Sequence, residues 1–211
     1  MSTSTQSPSR ADLLNAAKSF CDCFAQKKPL EETLSHFSSP SPPSSGTPKD
    51  KERSEGNGDE GEEEQEEEEQ EEILIHEHGL PQLAPFLGRD FRGLEGARRY
   101  FSALGKYLSY EDMRFVEFVV DAEAESDDPT KGQKGKEQEG GRRKGRGGKV
   151  AVRGKATFTW TETKQSWDET FLYVLRFDSR CKLTRYEVWA DSGAAYLARR
   201  GELEHKGYVW V

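Results

Sequence analysis

The sequence predicts an α+β domain in which N-terminal helices pack on an antiparallel β-sheet. Near the N-terminus the apolar residues recur at helical spacing, whereas from Met113 onwards they alternate with a period of two. Short polar turns separate the alternating segments. Because short connections favour antiparallel neighbours, these three observations together indicate helices first and a sheet of hairpin-linked strands after them.

Two charged segments, 38–72 and 122–149, interrupt this pattern. The first holds fourteen acidic residues against three basic ones, and the second holds eight basic against six acidic ones. Since the net charge of the whole chain is −8, the remainder is close to neutral. Neither segment offers apolar residues to bury, so we expect both to be disordered insertions. They would interrupt a single domain spanning 10–201, with tails at 1–9 and 202–211.

The charge and composition exclude several classes of partner. A near-neutral domain gives no electrostatic reason to expect binding to nucleic acid or to membranes, and no segment reaches the ~20 apolar residues of a membrane span. The tract 140–149 resembles an RNA-contacting or nuclear-import segment, but it contains no aromatic residue for base stacking. The three cysteines and the absence of an apolar signal in residues 1–10 predict a cytoplasmic protein, with a nuclear pool also open.

The N-terminal half carries recognisable helix and strand signals. Ser9, three residues before Asp12, predicts a capping box at the start of a first helix, and Pro29 predicts the first turn of a second one. The run 73–78 predicts a short strand that ends at Gly79. The apolar positions of the first helix are Leu13, Leu14, Ala17, Phe20, Cys21 and Phe24.

A third helix and four strands account for the rest of the domain. The predicted helical stripe comprises Leu94, Ala97, Phe101, Leu104 and Leu108, with Tyr100 and Tyr107 beside it. The predicted strands are 113–120, 150–160, 167–177 and 183–190, which form an antiparallel meander. A short helical turn follows Asp191 and ends at a glycine.

This order of elements, together with five local motifs, resembles the nuclear transport factor 2-like superfamily. The likeness is to its SnoaL-like branch, and in particular to fungal members. The motifs are His76-Glu-His-Gly79, Pro85-Phe-Leu-Gly-Arg-Asp-Phe-Arg-Gly93, Tyr100-Phe101, Trp167-Asp-Glu-Thr-Phe171 and Tyr186-Glu-Val-Trp-Ala-Asp191. The resemblance covers the ordered part of the chain and neither insertion. It implies a curved sheet wrapped around helices into a cone, with a pocket inside the cone.

Two residues are candidates for catalysis. Asp191 follows Trp189, and partial desolvation there would raise the pKa of the carboxyl into a range useful for acid–base chemistry; alternatively, Asp191 caps the following helix. His78 would transfer protons near neutral pH, unless it is a hydrogen-bonded structural histidine. His76 and His78 have a metal-ligand spacing but lack a recognisable third ligand, so we predict no metal and no other cofactor.

Five further residues are predicted to bind substrate. Trp167 shares a strand face with Glu169, and Trp189 shares one with Asp191, a pattern that suits an apolar pocket with few polar groups. Glu169 has the alternative of an ordinary sheet-surface charge. The pocket between sheet and helices that the resemblance implies would also use two residues of the third helix, Phe101 and Tyr107.

The resemblance and the predicted pocket residues suggest two alternative functions. The resemblance implies cofactor-independent cyclases, isomerases, dehydratases and epoxide hydrolases, but also modules without chemistry. We therefore expect a cofactor-independent lyase, isomerase or cyclase that acts on a small hydrophobic molecule; the alternative is a non-catalytic module for ligand binding or protein association. Because apolar residues occupy both faces of the predicted strands, we also expect a homodimer that covers the outer face.

Overall fold

The structure, a computed structural model, describes residues 7–38, 72–124 and 147–203. The helices in these ranges are α1 (Arg10–Ala25), α2 (Leu30–Leu34), α3 (Gly93–Tyr107) and α4 (Ser192–Arg200). The strands are β1 (Leu74–Glu77), β2 (Asp90–Arg92), β3 (Leu108–Asp121), β4 (Gly148–Trp160), β5 (Ser166–Phe177) and β6 (Leu183–Trp189). Most of both predicted insertions and of both predicted tails lies outside the described residues.

The strands form one sheet in the order β2-β1-β6-β5-β4-β3. The pairs β3–β4, β4–β5 and β5–β6 are antiparallel, which confirms the predicted meander, and β1 joins the sheet parallel to β6. β2 pairs with β1 and was not among the strands predicted from the sequence. β3 begins five residues earlier than expected, because register shifts near Asp112 break the alternation that would have revealed its first half.

The helix ends follow the predicted signals. The Ser9 hydroxyl accepts from the Asp12 backbone N–H at 3.2 Å, and the Asp12 carboxylate accepts from the Ser9 backbone N–H at 3.0 Å, so the capping box is present. Pro29 directly precedes α2. Gly201 ends α4 with a φ of 74°, a left-handed conformation that a side chain would disfavour.

The buried side of α3 differs from the predicted stripe. Gly96, Ala97 and Tyr100 are buried, whereas Leu94 is 36% exposed. The helix is rotated because it packs against β1 and β2 through Gly96, whose missing Cβ would stand only 2.7 Å from the Phe91 carbonyl carbon. Tyr100 consequently points into the interior rather than lying beside the stripe.

The two faces of the sheet have different roles. The inner face packs against the helices and supplies most of the core, in which Ile75, Leu175 and Tyr186 are almost completely buried. The outer face leaves apolar side chains in solvent, with exposed fractions of 47% for Val116 and 59% for Val119. Among the described residues, no helix is both long and apolar enough to cross a membrane.

Two glycines of α3 should respond oppositely to substitution by alanine. Gly96→Ala should lower the free energy of unfolding by about 1–3 kcal/mol, since its Cβ would overlap the Phe91 backbone. Gly105→Ala, in the same helix with nothing within 4 Å of the new Cβ, should raise it by about 0.5–1 kcal/mol. Urea denaturation of both variants measures the difference, and equal effects would contradict the close contact between α3 and β2.

Candidate functional site

A cavity of about 290 Å³ lies between the inner face of the sheet and the helices. Its walls are mainly apolar, with aromatic side chains as the largest group, and the charged lining residues are Lys28, Glu77, Glu169 and Asp191. Aromatic lining residues include Phe24, Phe101, Phe158, Trp167, Phe171 and Tyr173. The polar groups that matter for chemistry are Glu77, Tyr100, Glu169 and Asp191. This composition suits a compact, largely apolar ligand that is oriented by a small number of polar contacts.

Glu77 is a buried carboxyl in this apolar wall. It is 6% exposed, and one carboxyl oxygen accepts a hydrogen bond from the Tyr100 hydroxyl at 2.6 Å. Burial raises the pKa of Glu77 to about 8; the Tyr100 hydrogen bond opposes this shift, and the nearby charge of Glu169 adds to it. At neutral pH the carboxyl is therefore mainly protonated, and its second oxygen remains as a site for the proton.

Strand geometry explains why Glu77 faces inward. Side chains alternate along β1, so Glu77 follows Ile73 and Ile75 on the buried phase, and it lies opposite Val188 in the parallel pairing with β6. Glu77 was not among the site residues predicted from the sequence. The available signal was the phase itself, because two isoleucines at two-residue spacing precede the glutamate.

Glu169 is the second carboxyl of the cavity, and it has a different environment. It is 8% exposed and accepts two N–H donors, the indole of Trp167 at 2.7 Å and the backbone N–H of Asp191. Burial raises the pKa of Glu169, while these two donors lower it by stabilising the carboxylate. Glu169 is therefore the carboxyl of the pair that is better prepared to exist as an anion and to accept a proton.

Three buried tyrosines line the same cavity as these carboxyls. Burial raises the pKa values of Tyr100, Tyr173 and Tyr186, so all three stay neutral at physiological pH. Tyr186 packs edge-on against Tyr173, with 4.9 Å between the ring centroids, and against Tyr100 at 6.1 Å. The tyrosines thus supply fixed, uncharged hydroxyl groups next to Glu77.

Asp191 lines the cavity and also caps α4. Its carboxylate accepts from the Ala194 backbone N–H at 3.0 Å, which is the structural alternative that the sequence left open. Its own backbone N–H binds Glu169, so the start of α4 helps to orient that carboxylate. A catalytic role of the Asp191 carboxylate stays a prediction.

His78 lies on the outer face of the sheet, away from the cavity. Its ring stacks on Trp189, with 4.0 Å between centroids and an interplanar angle of 12°, and its Nε2 is 3.6 Å from Glu187. The predicted proton-transfer pair of Asp191 and His78 is therefore not formed by this structure. The reason is register: pairing with β5 and β1 turns Tyr186 and Val188 inward and their neighbours outward.

The predicted substrate-binding residues divide between the two sides of the sheet. Trp167, Glu169 and Phe101 line the cavity, whereas Trp189 lies outside it. Tyr107 is not among the lining residues and stacks on Trp160 at 5.6 Å. In the part of the chain that the structure describes, no three His, Cys, Asp or Glu side chains are grouped so that they could hold a metal.

Replacing Glu77 by glutamine should flatten the pH dependence of stability. Because the pKa of Glu77 is higher in the folded state, at about 8, than its ordinary value of 4.5, its contribution falls as pH rises between these values. From pH 5.5 to 8 the wild type should lose on the order of 3 kcal/mol more than Glu77→Gln. Denaturant unfolding at several pH values tests this, with Glu162→Gln on an exposed turn as the matched control. Equal pH profiles for wild type and Glu77→Gln would contradict the assigned pKa.

The cap at Asp191 can be separated from any chemistry of its carboxylate. Asn accepts the same backbone hydrogen bond, so Asp191→Asn should keep the stability of the wild type, whereas Asp191→Ala should lose about 1 kcal/mol. Thermal or urea unfolding of the two variants measures the difference. If both variants lose the same amount, the negative charge rather than the cap stabilises this end of the sheet.

Comparisons with known proteins concern the fold. No protein-family model matches the chain, and no curated protein matches it. Among solved structures, a nuclear transport factor 2-like protein from Burkholderia xenovorans LB400 is 13% identical, with a TM-score of 0.50 over 90% of this chain and 97% of that chain.

Two candidate isomerases of known structure are similar to the same extent. The one from Bacillus subtilis is 10% identical, with a TM-score of 0.52 over 92% of this chain and 97% of that one. The one from Rhodopseudomonas palustris is 9% identical, with a TM-score of 0.51 over 90% of this chain and 96% of that one. Together with the order of the elements and the sheet topology, these similarities confirm that the chain has the nuclear transport factor 2-like fold.

Proposed function

We propose that the protein is a cofactor-independent lyase, isomerase or cyclase that moves a proton on a small hydrophobic molecule. The observation that carries this proposal is the pair of carboxyls, Glu77 and Glu169, in one aromatic cavity. Burial raises the pKa of both carboxyls, to about 8 for Glu77, whereas two N–H donors oppose the shift at Glu169; a difference in environment of this kind can separate the acid of a site from its base. The candidate isomerases with the same fold are in keeping with this class of reaction.

The cavity defines the substrate class in chemical terms. Aromatic walls favour a compact apolar body, and the neutral Glu77 carboxyl with Tyr100 favours a carbonyl or hydroxyl oxygen that accepts hydrogen bonds. A carbonyl oxygen placed at Glu77 would acidify the adjacent C–H bonds. Glu169 would take a proton from such a carbon, and Glu77 would stabilise the charge that develops on the oxygen.

The donors to Glu169 tune it for this role. The Trp167 indole and the Asp191 backbone N–H fix the orientation of the carboxylate, while burial keeps it basic enough to accept a proton. The rate should therefore rise as Glu169 ionises and fall as the pH passes about 8, where Glu77 loses its proton. Catalysis by Asp191, the candidate from the sequence, would add a third carboxylate at the same cavity.

The second candidate function is a non-catalytic module that binds the same kind of ligand. It is favoured by the capping bond of Asp191, which gives this carboxylate a structural purpose. The predicted homodimer is compatible with either function. Its most suitable surface is the outer face, where Val116, Val119, Leu172 and Trp189 are all more than a third exposed.

Proton exchange in D₂O distinguishes the two functions. A panel of small cyclic ketones is incubated with the protein, and deuterium incorporation next to the carbonyl is followed by NMR. We expect exchange with the wild type, a loss of about 10²-fold or more in Glu169→Gln, and unchanged exchange in Glu187→Gln, which alters the outer face. Ligand binding detected by thermal shift without any exchange would reject the enzyme and support the binding module.

A further inference from the structure

The cavity has a second polar end, at the corner between α1 and α2 (residues 26–29). Lys28 lies in this corner and lines the cavity, and among the described residues of the lining it is the one cation. The other charged groups of the lining are the carboxyls of Glu77, Glu169 and Asp191. The proton transfer proposed above uses only the carboxyl end of the cavity and leaves Lys28 without a role.

Backbone contacts fix the position of Lys28. Its N–H donates to the Cys23 carbonyl at 2.8 Å, which closes the last turn of α1. The corner is also tied to the sheet, because the Tyr110 hydroxyl of β3 donates to the Phe24 carbonyl at 3.1 Å. The Lys28 side chain therefore extends along the cavity from an anchored backbone.

The Lys28 ammonium has donors left for a ligand. It donates to the Glu32 carboxylate at 2.6 Å, in a pair whose side chains are 31% and 46% exposed. The hydrogen bond to Glu32 raises the pKa of Lys28, so the side chain stays cationic at physiological pH. An ammonium has three N–H donors, and an ion pair in contact with water contributes little free energy. A ligand anion can therefore bind beside Glu32 or replace it at small cost.

The charge of Lys28 acts on the cavity wall as well as on solvent. Burial raises the pKa of the Cys23 thiol, which is 2% exposed and lines the cavity. The positive charge of Lys28 and a hydrogen bond with the Thr33 side chain oppose that rise. Thr33 is 5% exposed and lines the cavity too. This end of the cavity thus presents an ammonium and a hydroxyl to a bound molecule.

An aromatic stretch separates the Lys28 end from the carboxyl end. Phe24, next to the corner, lies 5.8 Å from Phe101 between ring centroids. Phe101 lies 6.0 Å from Tyr186, and Tyr186 lies 6.1 Å from Tyr100, the hydrogen-bond partner of Glu77. At about 290 Å³ the cavity is near the lower limit of small-molecule sites, roughly 300–1,000 Å³, so one compact ligand reaches both ends.

We propose that the ligand is a compact hydrophobic acid, whose carboxylate binds the Lys28 ammonium while its carbonyl or hydroxyl oxygen lies at Glu77. The Glu77 end of this inference rests on the proposed function. Charge fixes the orientation, because the reverse placement would bring the ligand carboxylate to Glu169 and Asp191, and like charges repel strongly where water is scarce. The apolar body then lies along the aromatic stretch, within reach of the Glu169 carboxylate.

Binding of matched acids and amides tests this inference. The probes are keto acids with a phenyl, cyclohexyl or naphthyl body, such as benzoylpropanoate, and each is compared with its uncharged primary amide. Isothermal titration calorimetry at neutral pH and low salt measures both affinities. We expect the acids that bind to do so about 10-fold more tightly than their amides, because a hydrogen bond between two charged groups is stronger than one to a neutral group. The preference should shrink in molar salt.

Lys28→Gln and Lys27→Gln form a matched pair of variants. Lys27 is the adjacent residue, but it is outside the described cavity lining, and its ammonium is 2.8 Å from Glu111. Lys28→Gln should bind acid and amide equally, whereas Lys27→Gln should keep the wild-type preference. Glu32→Gln should strengthen acid binding a few-fold, since it removes the carboxylate that competes for Lys28. Urea unfolding confirms that each variant is folded.

The outcomes distinguish this inference from the proposed function. Equal affinities for acids and amides in the wild type, an acid preference that survives Lys28→Gln, or no binding of any acid at millimolar concentration would overturn it. Amides that bind and exchange deuterium as well as the acids do would reject the Lys28 contact and support the enzyme. Acids that bind through Lys28 without exchange would support the contact and reject the enzyme.

Discussion

The parallel pairing of β1 with β6 is the constraint on which both faces of the molecule depend. Its register sets Glu77 opposite Val188 and Leu74 opposite Arg185. Because strand side chains alternate, the same register sends Glu77 into the cavity and His78 to the outer face. A slip of one residue would exchange the two side chains and would leave Glu169 as the buried glutamate of the cavity.

The cavity wall contains a group that destabilises the fold near neutral pH. An apolar wall that raises the pKa of Glu77 to about 8 also makes the folded protein less stable near neutral pH than an uncharged side chain would. Packing around Glu77 offsets this loss of stability, since Tyr100, Tyr173 and Tyr186 are buried against one another and against the sheet. Perturbed pKa values of buried groups are common at functional sites, which is consistent with the proposed role of the cavity.

The sequence predicted the fold better than the site, for a physical reason. Long strands such as β4 and β5 repeat their alternation often enough to establish both strand and phase, and Trp167 and Glu169 were accordingly predicted to share the cavity. β1 and β2 have four and three residues, which is too short for the pattern to be clear. For β6 the sequence suggested that Trp189 faces the pocket, whereas Tyr186 does; each face of this strand carries an aromatic residue, so the pattern did not distinguish them.

Asp191 illustrates how position changes the meaning of a residue. Its position at the end of a strand suggested a catalytic base. In the structure its carboxylate accepts a hydrogen bond from the first turn of α4, and its backbone N–H donates to Glu169. The cap fixes the backbone of Asp191, whose N–H donates to one oxygen of the Glu169 carboxylate. The indole N–H of Trp167 donates to the other oxygen of Glu169. Asp191 therefore orients the Glu169 carboxylate through its backbone N–H, and Ser192 and Ala195 of α4 line the same cavity.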